Sequence, residues 1–256
     1  MNEKVLKRVF EHAQVANTIK KDYTRMFTAL SGSQNYGLDT ENSDVDTKSI
    51  FIPNFSTLLF TKKLLSETLV LDNNEHVDAK DVREMSVQLL KQGINFVEIL
   101  FTPYVDINPK YEWFYSDLIQ LNEKIAHYDR QKTIMSMAGM INQNSYNALD
   151  KKEVNFKKLA TAYRVMEQVN KYIKNYSYRD VLDMRDHRDT FLSIKNGDMT
   201  YIDALNLARD MTKKSQNIII NYSNTYSHYK DESTAQAMFD LIETAFRKEY
   251  GVFIQR

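Results

Sequence analysis

Apolar residues at Val5, Val9, Ala13 and Ala16 recur with the period of one helix face, so residues 3 to 20 are predicted to form an amphipathic helix. The pattern then changes to a two-residue alternation. Tyr23, Arg25, Phe27 and Ala29 alternate with Thr24, Met26, Thr28 and Leu30, and the aromatic and β-branched content predicts a strand running into Ser31-Gly32-Ser33. A polar loop over Leu38 to Asn42 leads to a second predicted strand, Val45 to Ile52, which stops at Pro53. Leu64 to Leu71 reads as a third strand, Asp72-Asn73-Asn74 as a turn, and Glu75 to Ala79 as the returning arm of a hairpin. Asp81-Val82-Arg83-Glu84 has the form of a capping box and opens a helix expected to reach about Gln92, with Gly93 as its C-terminal break. A short helix, Asn95 to Phe101, ends before Pro103.

From Lys110 onward the pattern is helical almost throughout. Phe156 to Lys174 is a long amphipathic segment, Thr200 caps a helix to Met211, and Ala235, Met238, Phe239, Ile242 and Phe246 mark a terminal helix. This change of class predicts an α+β chain: a small mixed β-sheet domain with flanking helices over residues 1–105, then an all-α domain over residues 106–256.

Composition narrows the picture. A chain of 256 residues with 43% hydrophobic content can bury one good core or two modest ones. Lys plus Arg equals Asp plus Glu, 34 each, so no global basic field demands a nucleic-acid partner. The absence of cysteine excludes disulfides, zinc-thiolate sites and thiol catalysis. The histidines, His12, His76, His127, His187 and His228, have no ligand spacing. No segment approaches the roughly 18 apolar residues of a membrane span, so a soluble, cytoplasmic protein without a membrane partner is expected. Nothing in the sequence sets an oligomeric state.

The candidate chemistry lies at Asp44 and Asp46. Residues i and i+2 of a strand share a face, so both carboxylates would project together while Val45 turns into the core. Two such charges repel unless a cation lies between them, and a hard divalent ion, Mg²⁺ with Mn²⁺ as the alternative, is the natural neutraliser beside nucleotide phosphates. In nucleotidyl transfer a hydroxyl attacks the α-phosphorus of a nucleoside triphosphate and pyrophosphate departs. Two ions roughly 3.5–4 Å apart can serve both oxygens, which calls for a third acidic residue on a neighbouring strand. Asp78 and Asp81 compete for that place. Asp81 has a capping role, so Asp78 is the expected third ligand. Gly32 lets the backbone pass close to a phosphate, and Ser33 offers a hydroxyl and an amide there.

Leu30-Ser31-Gly32-Ser33 followed by Asp44-Val45-Asp46 resembles the signature of the DNA polymerase β nucleotidyltransferase superfamily. Gly-Ser-Gln-Asn-Tyr-Gly with Ser-Asp-Val-Asp, then Asp81-Val82-Arg83, the run Gly93 to Leu100 and Ile194-Lys195-Asn196-Gly197-Asp198, is similar to the RNA-ligase-associated predicted nucleotidyltransferases. The resemblance spans about residues 28 to 210. It implies a metal-dependent transfer of a nucleoside monophosphate from a triphosphate to an acceptor hydroxyl, with a helical domain closing over the nucleotide. Family context points to an RNA end as acceptor, although a protein side chain or a small-molecule hydroxyl needs the same chemistry. Relatives carry Lys-x-x-x-His-x-x-Arg in the second domain; here the stretch is Lys157, Thr161 and Arg164, without the histidine. Lys157 and Arg164 still share a helix face and are expected to neutralise triphosphate oxygens. Thr47 is a second departure, because the superfamily prefers an apolar residue after the second carboxylate.

Several features have plainer readings. The excess of Lys151, Lys152, Lys157, Lys158, Arg164, Lys171 and Lys174 over Asp150, Glu153 and Glu167 suits an RNA-facing surface or a solvated helix. Tyr36 suits either stacking on a base or packing under the turn. Glu98 lies in a short apolar helix and reads as structural. The competing functional classes are a nucleotide-binding regulatory module without turnover and an RNA-binding module.

Overall fold

The computed structural model describes residues 2–19, 21–149, 153–223 and 230–251. Helix α1 (Glu3–Ile19) precedes strand β1 (Tyr23–Ser31), and a one-turn helix α2 (Ser33–Tyr36) follows at once. Strand β2 (Asp46–Pro53), helix α3 (Phe55–Phe60) and the hairpin β3 (Ser66–Val70) and β4 (His76–Asp81) come next. Helices α4 (Val82–Leu90) and α5 (Ile94–Val97) lead through a 3₁₀ turn, Glu98–Leu100, to strand β5 (Val105–Ile107). The remainder is helical: α6 (Glu112–Gln120), α7 (Asn122–Ala126), α8 (Arg130–Ala148), α9 (Phe156–Ile173), α10 (Tyr178–Leu182), α11 (Arg188–Asn196), α12 (Tyr201–Ser223) and α13 (Glu232–Tyr250).

The sheet has the order β3-β4-β2-β1-β5. Only β2 and β4 run parallel; the other neighbours are antiparallel. The class is therefore α+β with a mixed sheet, as the change of pattern along the chain implied. One sheet face packs on α1, where Val5 and Val9 meet Leu30 and Val45, and Ala16 meets Phe51, Val77 and Ala79. The other face carries Met26, Ile50 and Ile52 into the main core with α4 and the helices beyond. Each fully buried aliphatic side chain there contributes roughly 1.5–3 kcal/mol.

That core does not stop where the class changes. Strand β5 pairs with β1 through Phe27 and Ile107, so the sheet extends past residue 105. Helix α13 returns to the sheet-bearing half: the Tyr250 hydroxyl donates to the Pro53 carbonyl at 2.6 Å, and the Tyr111 hydroxyl to Glu249 at 2.6 Å.

Three local expectations change. Strand β2 begins at Asp46, so Asp44 lies in the preceding loop and the pleat argument covers only one carboxylate. Asp81 caps α4 by accepting the Arg83 N–H at 2.8 Å, but Glu84 accepts from Gln88 at 2.6 Å instead of reaching back. The break after α4 is made by Gln92, with φ 59°, while Gly93 keeps φ −74°. Gln92 holds this left-handed turn because its buried amide donates to Leu89 and Ile125 carbonyls and accepts from Thr133, each at 2.8 Å.

Candidate active site

Antiparallel pairing brings distant sequence motifs together. Ser31, the last residue of β1, lies opposite Asp46, the first of β2, so the turn after one strand abuts the loop before the other. Gly32 has φ 104°, a conformation that an L side chain rarely adopts, and this lets the chain turn directly from β1 into α2. The Gln34 side chain donates to the Asp44 carbonyl at 2.9 Å, tying α2 to the loop that carries the first aspartate.

A cavity of about 650 Å³ opens here. Gly32, Ser33, Asp44 and Asp46 line one side, and Lys157, Thr161 and Arg164 of α9 with Phe191 and Lys195 of α11 line the other. The Asp44 carboxylate is exposed and has no side-chain partner among the described residues. One Asp46 oxygen accepts from both the His76 backbone N–H at 3.0 Å and the His76 ring Nδ1 at 2.9 Å.

Asp78 does not join this pair. It stands on β4 opposite Lys48, and its carboxylate is held by Lys48 at 3.4 Å, Lys80 at 3.0 Å and the Thr68 hydroxyl at 3.0 Å. It does not line the cavity. Among the described residues no three His, Asp or Glu side chains gather closely enough to hold an ion by themselves. Parallel register is the reason: the β4 residue that reaches Asp46 is His76, and Asp78 falls one step further along the strand.

Beneath the Gly32 turn lies Glu98, 2% exposed. Its Oε2 accepts the Gly32 N–H at 3.2 Å and the Asn35 side-chain N–H at 3.3 Å, and the Tyr36 side chain lies close enough to influence it electrostatically. The Gly32 amide is thus turned to a carboxylate of the protein. Burial raises the Glu98 pKa, and Tyr36 and the Gly32 bond oppose the rise. Tyr36 is buried, which pushes its hydroxyl well above the ordinary tyrosine value, with the neighbouring Glu98 charge adding to the effect. Its ring packs under the turn with the Arg164 guanidinium 4.2 Å from the centroid. Arg164 also donates to Gln168 at 3.1 Å.

At the histidine position of the family pattern, the Thr161 hydroxyl donates to the Lys157 carbonyl at 2.8 Å within its own helix. Asp150, Lys151 and Lys152 of the lysine-rich stretch lie outside the described residues, as does His228. Two lining cations, Lys48 and Lys195, and one neighbour of Asp46 outside the lining, His76, escaped the sequence reading as site residues. Lys48 is two residues beyond Asp46 on the same strand face, a signal that was available. Lys195 belongs to the Ile194-Lys195-Asn196-Gly197-Asp198 run, and His76 begins β4. Gly197, with φ 79°, explains that run: a Cβ there would sit 2.9 Å from the Phe156 ring, so glycine lets the end of α11 approach the start of α9 and sets Lys195 beside Lys157 at the cavity wall.

The Gly32-Ser33 turn, Asp44 and Asp46 thus face Lys157, Arg164 and Lys195 across one cavity, and the family match places the chain among the nucleotidyltransferases of the polymerase beta class. The chain belongs to the RlaP family, the RNA repair pathway DNA polymerase beta family, which it matches over residues 1–218. No curated protein matches it. Among solved structures it is similar to a nucleotidyltransferase-like protein from Exiguobacterium sibiricum 255-15, at 11% identity over 95% of this chain and 91% of that one. The TM-score of 0.35 is too low for that likeness to carry weight. No helix among the described residues is long and apolar enough to cross a membrane.

Proposed function

We propose that the protein transfers a nucleoside monophosphate from a nucleoside triphosphate to an acceptor hydroxyl, with release of pyrophosphate, and that the acceptor is an RNA end. The observation that carries this reading is the pairing of Ser31 with Asp46, which sets the Gly32-Ser33 turn beside two aspartates across a cavity from Lys157, Arg164 and Lys195. Membership of an RNA repair family supports the choice of acceptor.

The donor set suits Mg²⁺ or Mn²⁺. Mg²⁺ is commonly held by one or two carboxylates and completes its shell with water and substrate phosphates. Asp44, without a side-chain partner, and the free oxygen of Asp46 meet that need. When bound, the ion would neutralise phosphate oxygens and favour the attacking hydroxyl. Ser33, Lys157 and Lys195 take the β- and γ-phosphates through an amide, a hydroxyl and two ammonium groups. Gly32 shapes the turn, its amide being committed to Glu98. Asp78 acts at one remove, by holding Lys48 at the cavity wall. Arg164, buried against Tyr36, adds positive charge at the cavity floor.

The test incubates the purified protein and Mg²⁺ with each α-labelled triphosphate and total RNA, protein extract or buffer. Label is expected in the RNA fraction and is expected to vanish in Asp44→Asn and Asp46→Asn while both variants melt like the parent. Turnover retained in both variants would overturn the assignment. Nucleotide and metal bound but never consumed would replace it with a binding module.

A further inference from the structure

Behind the two aspartates runs a chain of buried polar contacts that the transfer chemistry does not use. Thr47, 1% exposed, points to the α1 side of the sheet, and its Oγ1 lies 3.0 Å from Nδ1 of the fully buried His12. The Nε2 of His12 lies 2.9 Å from Glu75 Oε2. The same oxygen accepts from Arg8 Nε at 3.1 Å and from a second Arg8 N–H. The other oxygen of Glu75 accepts the Val45 N–H at 3.1 Å. The chain therefore ends on the N–H of Val45, the residue between Asp44 and Asp46.

Its chemistry is unusual for its setting. Immediately beside it, α1 meets the sheet through Val5, Val9, Leu30 and Val45, an apolar contact that needs no hydrogen bonds. Replacing such a contact with a carboxylate, an imidazole and a hydroxyl carries a desolvation cost, which is offset only when every group is satisfied. Directional bonds supply what apolar packing cannot, a fixed orientation for one backbone amide. The departure at Thr47 has the same cause: its hydroxyl is the partner of His12.

We propose that Glu75, held by Arg8 and His12, is a positioning residue for the metal-holding segment, fixing the Val45 amide and with it the relative placement of the Asp44 and Asp46 carboxylates. The proposal rests on the metal reading of those aspartates. Partners that orient metal ligands typically change affinity 10–100-fold when removed.

The test titrates Mn²⁺ alone into the folded protein and follows the free ion by electron paramagnetic resonance, with urea unfolding measured in parallel. Glu75→Gln is expected to weaken Mn²⁺ binding about tenfold. Thr47→Val is expected to weaken it in the same direction but less, and Thr47→Ser, which keeps the hydroxyl, to bind like the parent. If Glu75→Gln fails to fold, the two Thr47 variants decide. Lower stability with unchanged Mn²⁺ affinity in the folded variants would overturn the proposal and leave Glu75 a structural residue. A parent protein that binds no Mn²⁺, or an Asp46→Asn variant that binds as tightly as the parent, would overturn the metal reading itself.

Discussion

Replacing Glu98 separates the two things its carboxylate does, accepting hydrogen bonds and carrying charge. In Glu98→Ala the Gly32 N–H loses its acceptor, whereas the Asn35 side chain keeps its bond to the Leu30 carbonyl at 2.9 Å. A buried donor without a partner costs about 1–3 kcal/mol, and the lost carboxylate stem adds a cavity. Part is recovered, because Glu98 borders the cavity and water can enter the space it leaves. The expected loss is about 2 kcal/mol, or roughly 4–8 °C in Tm for a chain of this size. Glu98→Gln keeps one acceptor oxygen and is expected to lose about 1 kcal/mol. Urea unfolding followed through Trp113 and circular dichroism measures both. The pH dependence adds a sign. The pKa of Glu98 is raised by burial, so the folded state holds its proton more tightly than the unfolded one. That contribution is fully present below the unfolded value and is lost as pH rises through the folded value, so the advantage of the parent over Glu98→Gln shrinks as pH rises across that window. Equal stability of the Ala and Gln variants, or an advantage that grows with pH, would refute this account of the turn.

Glu75 predicts the opposite trend. Against the cost of its burial, the Arg8 bond, aided by Asn73, His12 and the Val45 amide, lowers its pKa from 4.5 to about 2. The associated stability is present above the unfolded value and is lost as pH falls toward 2; urea midpoints of the parent and Glu75→Gln should converge on acidification. Lys157→Met and Lys195→Met should each raise the KM for triphosphate roughly tenfold with unchanged melting, since charge-assisted bonds contribute about 1.5–3 kcal/mol; unchanged KM in both would remove them from the phosphate site. Gly197→Ala, with φ 79° and a Cβ 2.9 Å from the Phe156 ring, should cost about 1–3 kcal/mol, and a neutral effect on Tm would show that the α11 and α9 ends yield freely.

Much of the fold is visible as periodicity. The α1 face, the β1 alternation and the β3–β4 hairpin are local patterns, set by which residues recur every two positions or every turn. What periodicity cannot carry is pairing between distant segments. The three-residue β5 is too short to announce itself, yet it closes the sheet against β1. The left-handed Gln92 is equally hidden, because its stability comes from Ile125 and Thr133, residues far along the chain.

The site divides along the same line. Gly32, Ser33, Asp44 and Asp46, which line one cavity, could be grouped from the sequence because a turn and two carboxylates lie close along the chain. The third carboxylate was a question of strand register, which no single sequence states: a one-residue slip reverses a side chain's face, and a two-residue slip moves it about 7 Å along the strand. His76 stands beside Asp46, while Asp78 sits a step away between Lys48 and Lys80. A charge placed there is already neutralised by the protein, so an ion between Asp44 and Asp46 would draw its remaining ligands from the substrate and from water. The nucleotide would then be part of the metal site, which predicts that metal and triphosphate bind with positive coupling: a triphosphate should tighten Mn²⁺ binding to the protein by more than its own affinity for the ion explains. Additive binding of the two would require a third protein ligand after all.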